Sequence, residues 1–383
     1  MRPIHFLPLL FVLFEGCVDP LNVTLLPGTQ KFVVDGLITN DPGPYEIKLS
    51  YSTSLDNSLK KAPTASGASV WIYDNNIPEK LSEVSPGVYQ TGKTGMRGQI
   101  GHEYYVKIKT RFGREYQSQP QRLVSAGDIT NISFQFVSNG ILGKRPEQFE
   151  DGQYMDAIRI LVDAKGIVEA EQNLLRWRWT TMYKVRTFPE FNRTRIDPAI
   201  FENGIWYTPT RPTPEPCSGY ISPPGSGGIV KVAECTCCEC WPYNTNTKAL
   251  ISHNRIVDGH EFKKVDLGAI PATKRQFYDK YYLMVEQLSL SEEVYNFWDL
   301  VEKQESGLGD LFQPNSVKVR GNIQSVTDPQ EEVLGIFGVS GITRREMYIP
   351  SDVVPFKLTG IDTIYHDCSD SFYNDYNVKP SFW

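Results

Sequence analysis

Histidine is scarce in this chain, at 5 of 383 residues, and no two histidines stand in H-x-x-x-H or H-E-x-x-H spacing. That excludes the helical zinc-hydrolase pattern. No G-x-S-x-G nucleophile elbow occurs, and no Walker-type or G-x-G-x-x-G loop opening a helix is expected, so hydrolase, nucleotide and dinucleotide chemistry lack their usual carriers. Positive charge is also short: 39 Lys and Arg against 45 Asp and Glu leave a net charge of −6, which argues against a nucleic-acid partner. No cofactor and no enzymatic activity are expected. Long apolar runs are absent too. The longest, F-L-P-L-L-F-V-L-F, has nine residues, and a membrane-spanning helix needs about 20.

That run has a different meaning at the N-terminus. It follows M-R-P-I-H and precedes Glu15, Gly16 and Cys17. A basic start, a short apolar core and a small residue before a cysteine match a lipoprotein signal; the alternative is a plain signal peptide with an incidental cysteine. Residues 1–16 are expected to be removed and Cys17 to be acylated, with 17–30 as a tether. Two or more acyl chains hold a protein stably at a membrane.

Export changes how the cysteines are read. Seven less Cys17 leaves Cys217, Cys235, Cys237, Cys238, Cys240 and Cys368. An even number outside the cytoplasm points to disulfides. Bridges inside A-E-C-T-C-C-E-C-W close very small rings, so cluster members are expected to reach out to Cys217 and Cys368. The rival is a thiolate metal carrier, but structural zinc sites favour C-x2-C spacing at two separate knuckles, and here the close-set cysteines all fall in one cluster.

Aromatic residues are plentiful, with 20 Tyr, 19 Phe and 7 Trp, as suits strands. The fold class expected is mainly β. Residues 31–125 read as an immunoglobulin-like β-sandwich. In Y-E-I-K-L-S, Tyr45, Ile47 and Leu49 share a face; in Y-Y-V-K-I-K-T, Tyr104, Val106 and Ile108 do. Residues 126–383 read as a larger β-rich domain. Its longest strand, Leu174–Arg186, puts Leu175, Trp177, Trp179, Tyr183 and Val185 on one face. Arg176, Arg178, Lys184 and Arg186 line the other, either as a solvated face or as one turned to a partner. One amphipathic helix is expected over about 290–306, with Ser289 as its cap and Val294, Phe297, Trp298 and Val301 as its apolar stripe.

Residues 201–246 stand apart: prolines in Y-T-P-T-R-P-T-P-E-P-C, then S-P-P-G-S-G-G. A long irregular loop in a compact domain is usually functional or disordered. Pinned by cysteines, it carries Trp206, Tyr207, Tyr220, Trp241 and Tyr243 as a candidate aromatic binding surface, or it is a loop stapled only to survive outside the cell.

Several stretches resemble one family across nearly the whole chain. They are G-C-V-D-P, K-F-V-V-D-G-L-I-T, G-A-S-V-W-I-Y-D, G-V-Y-Q-T-G, H-E-Y-Y-V-K-I-K-T and C-x-C-C-x-C-W. The most specific is L-F-Q-P-N-S-V-K-V-R-G-N-I followed by V-L-G-I-F-G-V-S. The family resembled is a group of Bacteroidota outer-membrane lipoproteins known only as a domain of unknown function. The resemblance implies an outer-membrane address. Asp19 fits the acidic bias of surface-exported lipoproteins. It also implies a TonB-dependent, SusC-like β-barrel as partner. It transfers no catalytic residue. The function expected is an accessory or ligand-capturing subunit of such an importer; the alternative is a surface adhesin or structural envelope module.

Overall fold

The structure is a computed structural model that describes residues 30–53, 62–143, 153–168, 173–246, 248–252, 260–307, 319–357, 363–372, 375–376 and 378–383. The expected signal peptide, Cys17 and the tether up to 29 lie outside the described residues. In chain order the first strands are β1 (Phe32–Thr39), β2 (Glu46–Tyr51), β3 (Ser69–Asp74), β4 (Ile77–Lys80), β5 (Ser82–Ser85), β6 (Val88–Gln90), β7 (Glu103–Lys109), β8 (Glu115–Ser118) and β9 (Gln121–Arg122). They form two sheets that face each other as an immunoglobulin-like sandwich. The alternation explains it: Tyr45, Ile47 and Leu49 are buried, as are Tyr104, Val106 and Ile108. Each side chain of this kind contributes about 1.5–3 kcal/mol on leaving water.

Next come β10 (Asp128–Gly143), β11 (Gln153–Lys165), β12 (Leu175–Tyr183) and β13 (Val185–Arg186). Three short hairpins follow, pairing β14 (Arg193–Arg195) with β17, β15 (Ile200–Glu202) with β16 (Ile205–Tyr207), and β18 (Tyr220–Ile221) with β19 (Val230–Lys231), where β17 is Thr210–Pro212. The chain then runs through β20 (Glu239–Thr245), β21 (Leu250–Ile251), β22 (Glu261–Pro271), β23 (Tyr281–Ser289) and helix α1 (Glu292–Gly307). It ends with β24 (Ile323–Ser325), β25 (Leu334–Ser340), β26 (Ile342–Ile349), the short α2 (Cys368–Ser371) and β27 (Asp375–Tyr376).

The second sandwich faces β10-β11-β22 against a seven-stranded sheet whose main path is β13-β20-β12-β23-β26. The expected long strand is β12 plus β13, and Leu175, Trp177, Tyr183 and Val185 face the core with Trp179 packed beside them. Buried Trp177 donates from Nε1 to Gln287 Oε1 at 2.8 Å.

Helix α1 lies where its periodicity put it, with Val294 and Phe297 buried and Trp298 and Val301 half-buried. Its cap is corrected. Ser291 Oγ, not Ser289, accepts from Val294 N at 3.3 Å. Ser289 is the last residue of β23, opposite Leu175, and its Oγ donates to Val124 O at 2.7 Å; a residue held in a ladder cannot also cap.

The C-terminal third adds to the first sandwich something the 31–125 boundary does not contain. β24 pairs with β8, and β25 runs parallel to β1 from Val33↔Leu334 to Thr39↔Ser340. Phe337 and Val339 fill the first core, while Ile336 points to α1. After Gly341 the same stretch continues as β26 on the second sheet. Gly335 makes the entry: its φ is 88°, and a Cβ there would lie 1.9 Å from the Val34 carbonyl oxygen.

Gly335→Ala therefore meets both a left-handed backbone and a main-chain clash. We expect it to lower unfolding free energy by about 2–3 kcal/mol, read as a fall in urea midpoint with unchanged slope.

Candidate functional site

Two places in the fold gather polar or exposed side chains that the cores do not use. The first is a solvent-open cleft of about 380 Å³ where the sandwiches meet. β1 supplies Asp35, the β1–β2 turn Asp41, and β2 Glu46 and Lys48; β12 supplies Arg178 and β26 Arg344. Below them three strands run side by side, and their register sets Arg178 opposite Glu286 and Glu286 opposite Arg344. Directly opposed residues are the pairs a sheet couples most strongly.

Glu286, only 6% exposed, uses both oxygens. Oε2 accepts from Arg178 Nε, and Oε1 accepts from Arg344 Nε at 2.7 Å. Arg344 also donates to Asp41 of the first sandwich. Its guanidinium is held above its ordinary pKa: burial pulls it down, but the bonds to Asp41 and Glu286 together outweigh that. The lining thus sets three carboxylates against three cations. Such a wall suits a small solute that both donates and accepts hydrogen bonds. Its groups pair with one another instead of forming a nucleophile–base couple.

The second place is the Pro/Cys-rich loop. The sulfurs pair as Cys217–Cys237, Cys235–Cys238 and Cys240–Cys368, with Cα separations of 5.6, 5.8 and 6.1 Å, all within the span a bridge allows. Cys217 and Cys368 each take a cluster member, as expected. The Cys235–Cys238 bridge, with a sequence separation of 3, corrects the expectation that small rings are avoided. Once the two outer cysteines are satisfied, Cys235 and Cys238 are left with each other, and the bend between them brings their Cα atoms into range. Cys240 and Cys368 are buried in the second core. Their separation of 128 residues corresponds to about 5 kcal/mol on chain-entropy grounds.

From this pinned base a two-stranded arm projects. Its root is closed by Thr213 N donating to Asn192 O at 2.8 Å. β14 and β17 form the proximal half, β15 and β16 the distal half. Asn203 and Gly204, with φ of 54° and 83°, make the primed turn that two-residue hairpins require. Every residue from Arg193 to Tyr207 is exposed.

The proposed binding residues are scattered between these places. Trp206, 69% exposed, and Tyr207 are on the arm. Tyr220 is half-buried in β18. Trp241, 3% exposed, packs with Met182 and Tyr282, and half-buried Tyr243 lies against them. The five aromatics do not form one surface. The basic stripe is likewise divided. Arg176 stacks on Trp298 of α1, 3.4 Å from Cζ to the ring centroid, so the π face covers the cation. Burial and then the neighbouring Arg178 lower it to about 10. Arg178 belongs to the cleft. Lys184 pairs with Glu239 at 2.7 Å, and Arg186 sits 5.3 Å from the Phe188 ring.

Sequence reasoning missed Glu286, Arg344 and Asp41, whose meeting depends on strand order. It also missed the distal partners Ile200, Phe201 and Ile205, although I-F-E-N-G-I-W-Y carries the Asn-Gly hairpin signal. One spelling was passed over. Gly87–Thr94, G-V-Y-Q-T-G-K-T, fits the Walker pattern, but its Val88–Gln90 is strand β6 and turns, not a helix, follow. A phosphate cradle needs the helix N-terminus, so this is a strand and its turn.

Residues 18–346 match the family described as a domain of unknown function (DUF4249), and the chain belongs to that family. The match spans the first sandwich and ends within β26, short of Cys368. No curated protein matches the chain.

Two outcomes follow from this geometry. Glu286→Gln removes the carboxylate that two half-exposed guanidiniums share, so Arg178 loses its ion pair and Arg344 keeps only Asp41; urea midpoints should show a loss of about 3 kcal/mol, at the low end for a broken buried pair. Thiol titration of denatured, unreduced protein should find none of Cys217, Cys235, Cys237, Cys238, Cys240 and Cys368 reactive, and all of them after reduction.

Proposed function

We propose that this chain is a lipoprotein of the outer membrane, acylated at Cys17, that serves as an accessory, ligand-capturing subunit of a TonB-dependent importer of SusC-like type in a Bacteroidota cell. The observation that carries the ligand-capturing part is the charge-balanced cleft. It is open to solvent, and its walls come from both sandwiches, so a captured solute contacts residues that the fold holds at fixed spacing. Its lining suits a polar solute rather than an apolar one.

Three bridges fit a chain that works in an oxidising space, where disulfides persist. The G-C-V-D-P start supplies the anchor, and the tether of 17–30 lets the body reach up to about 45 Å from it. The surface face of the membrane is favoured by Asp19. An anchored body that captures a solute passes it on through a channel beside it, which is the place of the barrel.

Affinity capture from detergent-solubilised membranes should recover a TonB-dependent barrel with the tagged chain. Recovery of the lipoprotein alone at every detergent level contradicts the partnership. Labelled palmitate should enter the wild-type chain and not a Cys17→Ser chain; equal labelling, or none in either, removes the anchor from the account.

A further inference from the structure

The distal arm carries an apolar load that nothing among the described residues covers. We propose that it is a second membrane contact: the ribbon settles on an anionic lipid surface, its apolar end in the boundary between headgroups and acyl chains and its arginines on lipid phosphates. This goes beyond the importer reading and does not require acylation.

Three features favour lipid over a docked protein. The apolar residues occupy both faces of the ribbon. Phe201 is paired with Trp206, and Ile200 with Tyr207, and successive side chains on a strand point to opposite faces. A ribbon that docks flat on a protein buries one face and leaves the other wet; a lipid interface surrounds it. Second, the chemistry is sorted along the axis. Arg193, Arg195 and Arg211 lie in the proximal half and the large apolar residues in the distal half. That is the order of depth at a bilayer, with cations at the phosphates and Trp and Tyr at the interface. Hydrogen bonds of Arg193 and Arg195 go to oxygens of Thr210 and Thr208 rather than to carboxylates, so their charge stays available to an anion. Third, the turn sets the depth. Glu202 accepts from Tyr207 Oη at 2.7 Å, and the ribbon's outer edges carry unpaired backbone groups. Both need the hydrated headgroup layer and exclude the hydrocarbon core.

The charge balance gives the contact a direction. The chain as a whole is at −6 and is repelled by an anionic surface, so the arginine-bearing arm is the part that such a surface selects. The Cys217–Cys237 bridge and the bonds at the arm's root hold its base, so little of the binding free energy is lost in ordering it.

The test uses the full oxidised chain carrying Cys17→Ser, with phosphatidylcholine–phosphatidylglycerol vesicles and with phosphatidylcholine alone. Arm variants are compared in the same background, so any contribution of the first residues cancels. We expect sedimentation with the mixed vesicles and blue-shifted tryptophan emission quenched by brominated lipid. Phe201→Ser with Trp206→Ser should weaken partitioning about tenfold or more, with circular dichroism and thiol titration unchanged because both side chains are exposed. Arg193→Gln, Arg195→Gln and Arg211→Gln together should abolish the preference for the anionic vesicles. The proposal is overturned if the arm variants sediment like the parent, if the parent does not sediment, or if the arm cross-links to a protein while vesicles leave it untouched. Because Cys17 is already replaced, these results stand whether or not cells acylate the chain.

Discussion

One strand passage organises this molecule. β25 enters the first sandwich parallel to β1, then the chain crosses at Gly341 and continues as β26 on the second sheet. Parallel neighbours cannot be joined by a tight turn, and here residues 40–333 lie between the two partners. The first sandwich therefore takes its edge strand from a part of the chain that lies beyond most strands of the second. The crossing is welded by bonds that ignore domain boundaries: Gly341 N donates to Val124 O at 3.0 Å, Gln287 Nε2 to Ala126 O at 2.6 Å, and Thr343 Oγ1 to Gly127 O at 2.8 Å.

The cleft is a product of that passage. Asp41 sits on the first sandwich, Glu286 in the middle of the second sheet, and Arg344 on the strand that has just crossed. Desolvating a carboxylate beside two guanidiniums costs more than a hydrophobic packing of the same shape. A buried carboxylate held between two guanidiniums is therefore poor evidence for stability alone and better evidence for a fixed polar wall. The disulfides act at the opposite end. Cys240–Cys368 fastens the last turns of the chain to the second core, and the two bridges of the loop hold the root from which the arm projects.

Local pattern revealed much of this and long-range pairing revealed little. The alternation in Y-E-I-K-L-S and Y-Y-V-K-I-K-T located core faces because burial of one side of a strand is written at period two. Val294 and Phe297 located the helix face for the same reason at period 3.6. Gly335 looked like any glycine in an apolar run; its need for positive φ comes from Val34, some three hundred positions away in the chain. Glu286 lay in a readable strand, but which strands flank it was not local information. Arg176 and Arg178 were seen as a basic stripe, and their charge is spent on Trp298 and Glu286, which only strand order and helix placement bring near. In the loop, the proline content drew attention away from an ordinary Asn-Gly hairpin.

The reading of this protein as an exported, anchored capture subunit needs a body whose two halves hold the cleft walls in register. If they open independently, the cleft has no fixed shape and the argument from its lining fails. Native-state hydrogen exchange on the oxidised chain measures this directly. Slow amides of β1 in the first sandwich and β23 in the second should exchange through one opening, with equal free energies and the same denaturant slope. A markedly lower opening free energy for β1, or two resolved unfolding transitions, would contradict the account.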